Sequence, residues 1–196
     1  MSETHLALAV DALLDELFDS GVELGLQVAV IRHGHTLVDA ARGVVDPRSG
    51  ALVDSDTLCW AGSTAKGVAT TVAHVLVSEG TMSARGVARM YSALLGHVDG
   101  VTLVSAPRLA AMAAVSFIGM DEVMGFASSW AFGYSPSRPN GRSKPGSTFG
   151  MIGMNGSAAY ADIESGVAVA VMRNRFTAGD FTTVARIDQL IADELS

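Results

Sequence analysis

The order of strand-like and helical segments constrains the fold of this chain more than any single motif does. Two strand-like runs, Leu26 to Arg32 and Thr36 to Arg42, follow a first helical stretch and are joined by a tight glycine-centred turn. After a helical middle region, short apolar runs separated by glycine turns begin at Trp130. Because strands at both ends of the chain bracket the helices, we predict an α+β fold in which one antiparallel sheet is flanked by helices.

The individual elements are predicted from hydrophobic spacing and from turn residues. Helices are expected over Leu6 to Gly21, Ser63 to Glu79, Ser83 to Gly96 and Ala106 to Ala114, and from Thr183 onward. In the second half of the chain, antiparallel strands are expected over Trp130 to Ser135, Thr148 to Met154, Ser157 to Asp162 and Val167 to Arg173.

Length and composition predict a single globular domain, residues 1–196, with 49% hydrophobic and 17% charged residues. The net charge of −7 argues against nucleic acid or an anionic membrane surface as a partner. A single cysteine, Cys59, excludes an internal disulfide framework. The acidic first 19 residues do not resemble a signal peptide, and no apolar run approaches the ~20 residues that span a bilayer, so a cytoplasmic protein is expected.

Lysine is nearly absent from the chain, yet one of the two lysines follows a serine by three positions at the start of a predicted helix. These residues are Ser63 and Lys66, within Ser63-Thr64-Ala65-Lys66-Gly67, and the other lysine is Lys144. Unlike arginine, lysine can lose its proton when it is desolvated. Residues three apart on a helix share a face, as a serine nucleophile with a lysine base requires. From spacing alone, Ser63 as a helix N-cap with a solvated Lys66 is an equally good interpretation.

With these residues, the chain resembles the serine β-lactamase and penicillin-binding-protein superfamily, most closely its esterase-type members. The resemblance rests on the paired N-terminal strands, the Asp56-Thr57-Leu58 lead-in, the Ser63-to-Gly67 motif, the Ser83-to-Gly96 helix, and the run from Phe149 to Ser157 followed by Tyr160-Ala161-Asp162. It implies a β-lactamase-like core in which Ser63 is the nucleophile and Lys66 its base. The backbone N–H groups of Ser63 and Met154 would bind the oxyanion.

Two features of that superfamily are missing from this sequence. The helical insertion between the nucleophile helix and the Ser83 helix is replaced by about three residues, so the tyrosine or serine of the second motif is lost. Tyr91 matches a structural helix position and does not replace it. The third motif, a Lys or His followed two residues later by Gly, becomes Met151-Ile152-Gly153. Acylation is therefore expected to be easier to sustain than hydrolysis of the acyl-enzyme.

Substrate contacts are expected from the residues around this cleft, and no cofactor is predicted. Trp60, Tyr134, Met151, Gly153 and Asn155 are the candidate substrate-binding residues. His33 and His35 flank a glycine without further ligands nearby in the sequence, so they are interpreted as a solvated hairpin tip and no metal site is predicted. His97 is expected to interact with the end of the helix that precedes it.

Three classes of function remain open from the sequence, and the third of them is an interaction module whose open cleft is covered by a partner. The first is a serine acyl hydrolase or acyltransferase acting on a small-molecule ester, lactone or thioester. The second is a protein that keeps the fold without acyl chemistry and binds an apolar small molecule, as in a biosynthetic cyclisation or rearrangement. Loss of the helical insertion would also expose apolar surface, so we predict a homodimer or larger homo-oligomer. The expected contact residues are Phe117, Ile118, Met120, Val123, Met124 and Phe126.

Overall fold

The computed structural model describes residues 3–61, 64, 81–122, 125–144 and 146–195. The predicted nucleophile helix, apart from Thr64, lies outside the described residues, and so do Ser63 and Lys66 themselves. Val123 and Met124 of the expected oligomer contact also lie outside them. Within the described residues the helices are α1 (Glu3–Asp19), α2 (Ala84–Leu94), α3 (Ala106–Ala113) and α4 (Thr182–Leu195).

Ten strands are present in the described part of the chain and they form three sheets. They are β1 (Gly25–Arg32), β2 (His35–Asp46), β3 (Ala51–Leu52), β4 (Cys59–Trp60), β5 (Thr81–Met82), β6 (Phe117–Asp121), β7 (Phe126–Trp130), β8 (Thr148–Ile152), β9 (Ala158–Asp162) and β10 (Val167–Arg173). The main sheet is antiparallel and has the order β3-β2-β1-β10-β9-β8, while β4 pairs with β5 and β6 with β7. The predicted α+β class is therefore confirmed.

The central strands β1 and β10 are buried because helices cover both faces of the main sheet. On one face, Val28, Val30, Val169 and Val171 pack with apolar residues of α1 and α4. On the other, Ala29, Ala168 and Ala170 pack with α2 and with the aromatic core around Phe149. This two-sided burial explains why the sequences GLQVAVIR and VAVAVMR read as nearly continuous apolar runs. The small alanines on one face leave room for α2 to approach the sheet.

The region before β8 differs from the sequence prediction. The expected strand from Trp130 to Ser135 is wrong, because β7 ends at Trp130 and pairs with β6 rather than with the main sheet. Gly133 adopts a φ of 83°, and the Ala131 N–H donates to the Tyr134 carbonyl, so the chain turns back at this point. Residues 117–121, predicted to lie outside the regular elements, form β6.

Candidate active site

The turn between β8 and β9 is closed by backbone hydrogen bonds. The Gly153 N–H donates to the Ser157 carbonyl at 2.7 Å, and the Gly156 N–H donates to the Gly153 carbonyl at 2.8 Å. Gly156 has a φ of 81°, a backbone conformation that a side chain would disfavour. We call residues 153–157 the β8–β9 turn. Its closed hydrogen-bond pattern fixes where the end of β8 meets the rest of the chain.

Asn155 joins this turn to the strand that precedes the Ser63 motif. Its side-chain amide nitrogen donates to the Trp60 carbonyl at 3.0 Å and to Ser157 Oγ at 3.1 Å. Its side-chain oxygen accepts a hydrogen bond from the Ser157 N–H at 3.2 Å. The residue is buried, so a missing partner would leave polar groups unsatisfied. Asn155 therefore positions the turn, and its predicted contact with a substrate stays a prediction.

Thr64, the residue after Ser63 in the sequence, makes a second connection to the same turn. Its hydroxyl donates to the Ser157 carbonyl at 2.9 Å, and its N–H donates to the Ala61 carbonyl at 3.1 Å. Thr64 and Ala61 are both fully buried. The chain is thus anchored to the β8–β9 turn on both sides of the Gly62-Ser63 step.

Gly153 allows these two segments to approach each other. A Cβ placed on Gly153 would lie 2.7 Å from Asn155 Oδ1, 3.0 Å from Thr64 Oγ1 and 3.2 Å from the Ala61 carbonyl oxygen. These distances are shorter than ordinary van der Waals contact, so any side chain here would push the segments apart. The absence of a side chain at Gly153 thus keeps the turn in contact with Thr64 and Ala61, and the substrate contact predicted for Gly153 stays a prediction.

A buried ion pair lies next to the β8–β9 turn and is hydrogen-bonded to it. Arg173, the last residue of β10, lies with its Nη2 atom 2.7 Å from Glu23 Oε1, and both side chains are removed from solvent. Thr183 Oγ1 also donates to this carboxylate at 2.6 Å. The Arg173 N–H in turn donates to Ser157 Oγ at 3.0 Å, which connects the ion pair to the β8–β9 turn. Sequence reasoning missed Glu23, Ser157 and Arg173; an arginine ending an otherwise apolar strand was the one available signal.

The remaining predicted site residues lie at different depths. Met154 is 43% exposed, and no acceptor for its N–H is found among the described residues. Met151 is buried on β8, and Trp60 is exposed with its ring 5.9 Å from that of Phe176. Tyr134 is fully buried and packs edge-on against Phe149 at 5.3 Å, so the structure places it in the core. The substrate-binding roles predicted for Trp60, Tyr134 and Met151 stay predictions.

Tyr91 occupies a structural position, as the sequence indicated. It is fully buried with its ring 5.8 Å from Phe149, and its hydroxyl has no hydrogen-bond partner among the described residues. Burial, together with the neighbouring Tyr134, raises the pKa of the Tyr91 hydroxyl far above its ordinary value. A phenol held this firmly in its neutral form is a poor proton shuttle.

His33, His35 and His97 lie together at the opposite end of the main sheet from the β8–β9 turn. The rings of His33 and His97 meet edge to face at 4.9 Å, and His33 and His35 are exposed, as predicted for a hairpin tip. The His97 N–H donates to the Ser92 carbonyl at 3.0 Å, close to the end of α2. No group of three or more metal-ligating side chains that could hold an ion occurs among the residues described. Within the same residues, no helix combines the length and apolar character needed to cross a bilayer.

Comparison with known proteins agrees with the architecture. A family model described as Beta-lactamase matches residues 10–84, which contain β1, β2 and the Ser63 motif. No curated protein sequence matches the chain significantly.

Solved structures extend the similarity over the whole chain. A family VIII carboxylesterase superposes with a TM-score of 0.83 at 15% identity, with 100% of this chain and 98% of that chain covered. A penicillin-binding-protein homologue from Caulobacter crescentus gives 0.76 at 15% identity, covering 95% and 97%. EstA from Arthrobacter nitroguajacolicus Rue61a gives 0.70 at 12% identity, covering 93% and 97%. The chain therefore has the fold of the serine β-lactamase and penicillin-binding-protein superfamily, and the predicted resemblance is confirmed.

Proposed function

We propose that this protein is a serine acyl hydrolase or acyltransferase that acts on a small-molecule ester, lactone or thioester through Ser63 and Lys66. The observation that carries the proposal is the anchoring of the chain on both sides of the Gly62-Ser63 step. Trp60 and Thr64 are each hydrogen-bonded to the β8–β9 turn, and Gly153 brings that turn into contact with Ala61 and Thr64. A nucleophile needs such fixed surroundings, because small displacements from the reactive geometry greatly slow the reaction.

In the proposed reaction, Ser63 Oγ attacks the carbonyl carbon of the substrate while Lys66 Nζ takes the serine proton. To accept this proton near neutral pH, Lys66 needs a pKa about three units below its ordinary value. The negative charge on the carbonyl oxygen is stabilised by the backbone N–H groups of Ser63 and Met154. Collapse of the tetrahedral intermediate breaks the bond to the leaving group, which receives the proton from Lys66. Water or an acceptor alcohol then attacks the acyl-serine, which yields an acid or a new ester.

The similarity to a family VIII carboxylesterase supports the ester class of substrate. The same site favours transfer of the acyl group to an acceptor over rapid hydrolysis. The side chain at the third-motif position is Met151, which carries no acid or base, and Tyr91 is confined to the core. With few groups to activate water, the acyl-enzyme would persist until a good acceptor arrives.

Met151 also supports the alternative function, a protein with this fold that binds an apolar small molecule without acyl chemistry. Its thioether adapts readily to apolar ligands. Because it lies on β8 next to the β8–β9 turn, it would offer such a ligand an apolar contact where the superfamily places a charged or polar group.

Steady-state turnover of a short-chain p-nitrophenyl ester, with and without an acceptor alcohol, tests the proposal. Ser63→Ala should abolish turnover, and Ser128→Ala, which removes a partly exposed serine of β7, should leave it unchanged. Lys66→Arg should be nearly as damaging as Lys66→Ala, because arginine keeps the charge but cannot act as a base. Lys144→Arg is the matched control, since Lys144 is exposed and pairs with Glu164.

Two results would overturn the mechanism. Equal turnover by the wild type and Ser63→Ala would leave the non-covalent binding function as the better account. A near-normal rate for Lys66→Arg would show that lysine supplies only positive charge, so that the assignment of Lys66 as base would be wrong.

A further inference from the structure

The β6–β7 hairpin lacks the burial of the strands at the centre of the main sheet. None of the ten residues of these two strands is buried, whereas every residue of β9 and β10 is. Four of its large apolar side chains are markedly exposed: Phe117 by 43%, Ile118 by 80%, Met120 by 62% and Phe126 by 53%. Taking roughly 150–250 Å² for each side chain when fully exposed, about 400 Å² of apolar surface is open to solvent.

A hairpin of this kind needs a further partner to be stable. Two strands alone are marginal in water, and a third strand or a covering helix is normally required. Among the described helices and strands, β6 and β7 make an extensive contact only with each other. The hairpin therefore presents both open strand edges and apolar side chains for pairing.

We propose that a second copy of this chain supplies the missing strand, by antiparallel pairing of β6 with β6 of the other copy around Gly119. The two hairpins then form one four-stranded sheet across a two-fold axis. This interface is independent of the proposed acyl chemistry, so either can fail without the other.

The sequence of β6 is complementary to itself in this arrangement. With Gly119 opposite Gly119, Ile118 of each copy faces Met120 of the other on one face of the sheet, so apolar side chains meet in cross-strand pairs. Asp121 faces Phe117 of the other copy, and the two aspartates lie at opposite ends of the paired strands. Their separation is then about 14 Å, beyond the ~8 Å Debye length at physiological ionic strength.

Composition favours β6 over β7 as the pairing edge. Neither strand contains Lys, Arg or Pro, the residues with which proteins commonly protect exposed edges. The middle of β7 carries the polar pair Ser128 and Ser129, whereas the middle of β6 is apolar apart from Gly119. Two copies joined through β6 bury apolar surface from both hairpins and add backbone hydrogen bonds.

The first measurement is the mass in solution, by sedimentation or light scattering at micromolar concentration. We expect twice the chain mass of 20.2 kDa. Ile118→Lys should shift the protein to the monomer mass, because the new charges would lie beside an apolar side chain of the other copy. Leu52→Lys should leave the dimer intact. It introduces the same charge at a residue that is 75% exposed on β3, an edge strand of the main sheet rather than of the hairpin.

Engineered cysteines test the pairing register directly. In the proposed dimer the two Gly119 Cα atoms lie about 4.5–5.5 Å apart, so Gly119→Cys should form an intermolecular disulfide on mild oxidation. A Cβ there would lie 3.1 Å from the tip of the half-exposed Phe117 ring, which has room to move. Ser128→Cys is the control, because its symmetry mates would lie about three strand spacings, ~14 Å, apart. The native Cys59 is buried and should not react.

A disulfide at Gly119→Cys, none at Ser128→Cys and a monomeric Ile118→Lys variant would together support the proposal. A wild-type monomer mass that does not change with concentration would overturn it. A dimer that cross-links through Ser128→Cys, or fails to cross-link through Gly119→Cys, would equally exclude pairing through β6.

Discussion

Two antiparallel strand pairs of this protein, β8–β9 and β6–β7, have similar lengths but opposite surroundings. The β8–β9 pair is buried almost throughout, and its turn is tied by hydrogen bonds to Trp60, Thr64 and Arg173. The β6–β7 pair has no buried residue. The first pair is held by interactions within the chain, and its turn borders the proposed active site. The second leaves its apolar residues and edges for another molecule.

This contrast shows that strand formation alone does not indicate a strand's role. Phe149 of β8 and Phe117 of β6 are both phenylalanines in short strands, yet one is fully buried and the other is 43% exposed. The difference arises because β8 continues a sheet covered by α2, whereas β6 has only β7 beside it.

Substitution of Phe149 and of Phe117 tests the difference in packing between the two strand pairs. Phe149→Ala should lower the free energy of unfolding by about 3–5 kcal/mol, because it leaves a cavity against Tyr91 and Tyr134. Phe117→Ala should change it by less than about 0.5 kcal/mol when measured dilute enough to dissociate a dimer. Urea denaturation measures both. Similar losses in the two variants would show that the hairpin is as well packed as the sheet.

The buried ion pair behind the β8–β9 turn predicts an effect of about the same size. Arg173→Met leaves the Glu23 carboxylate buried without its charge partner and should cost about 3–5 kcal/mol. Adding Glu23→Gln should recover part of the loss, since the uncompensated charge is then removed. Arg48→Met, at a side chain 92% exposed, is the control and should be nearly neutral. If Arg173→Met proved as mild as Arg48→Met in denaturation, the ion pair would not support the turn.

A smaller loss of stability is expected at Gly153, with a larger loss of reactivity. Gly153→Ala would force Thr64 and Ala61 away from the turn, at a cost of about 1–3 kcal/mol. Because this movement displaces the chain on both sides of Ser63, covalent labelling by a fluorophosphonate should slow at least tenfold. Gly86→Ala in α2, where the added Cβ would lie 3.3 Å from Ser83 Oγ and away from the turn, should leave labelling unchanged. Equal labelling rates in the two variants would show that the β8–β9 turn does not position the reactive serine.

The smallest predicted effect lies at the far end of the sheet, at His97. Burial and the neighbouring His33 lower the pKa of the His97 imidazole, although a hydrogen bond with the Gly166 backbone opposes this. The unfolded chain therefore binds a proton more readily, so His97 stabilises the fold above pH ~6.5 and this contribution is lost as the pH falls. Urea midpoints between pH 8 and 5 should fall less steeply for His97→Gln than for the exposed control His35→Gln. Equal slopes of the urea midpoint against pH in the two variants would contradict a contribution of His97 to the pH dependence of stability.

Much of the fold could be predicted from the sequence because burial on both faces leaves a strong signal. The runs in β1 and β10 are apolar almost throughout. The helices that cover these strands show clear amphipathic spacing in the sequence. The β6–β7 hairpin was missed because its residues alternate weakly between apolar and small polar types. Trp130 to Ser135 was misassigned because its aromatic residues resemble a strand, while Gly133 in fact turns the chain.

The site was predictable only in part, for a different physical reason. Gly153 and Asn155 stand in a short run that the sequence identifies, but the contacts of Asn155 depend on residues distant in the sequence, such as Trp60. The Glu23–Arg173 pair likewise joins residues 150 positions apart, and no local pattern indicates which acid meets which base.

We propose that Ser63, between the two segments anchored to the β8–β9 turn, is an activated nucleophile. The serine that reacts with a covalent probe tests this directly. The native protein would be treated with a fluorophosphonate, digested, and mapped by peptide mass spectrometry, with urea-unfolded protein as the control. We predict one adduct, on Ser63, that is absent from the unfolded protein. No adduct on the native protein, or labelling of a different serine, would contradict the account.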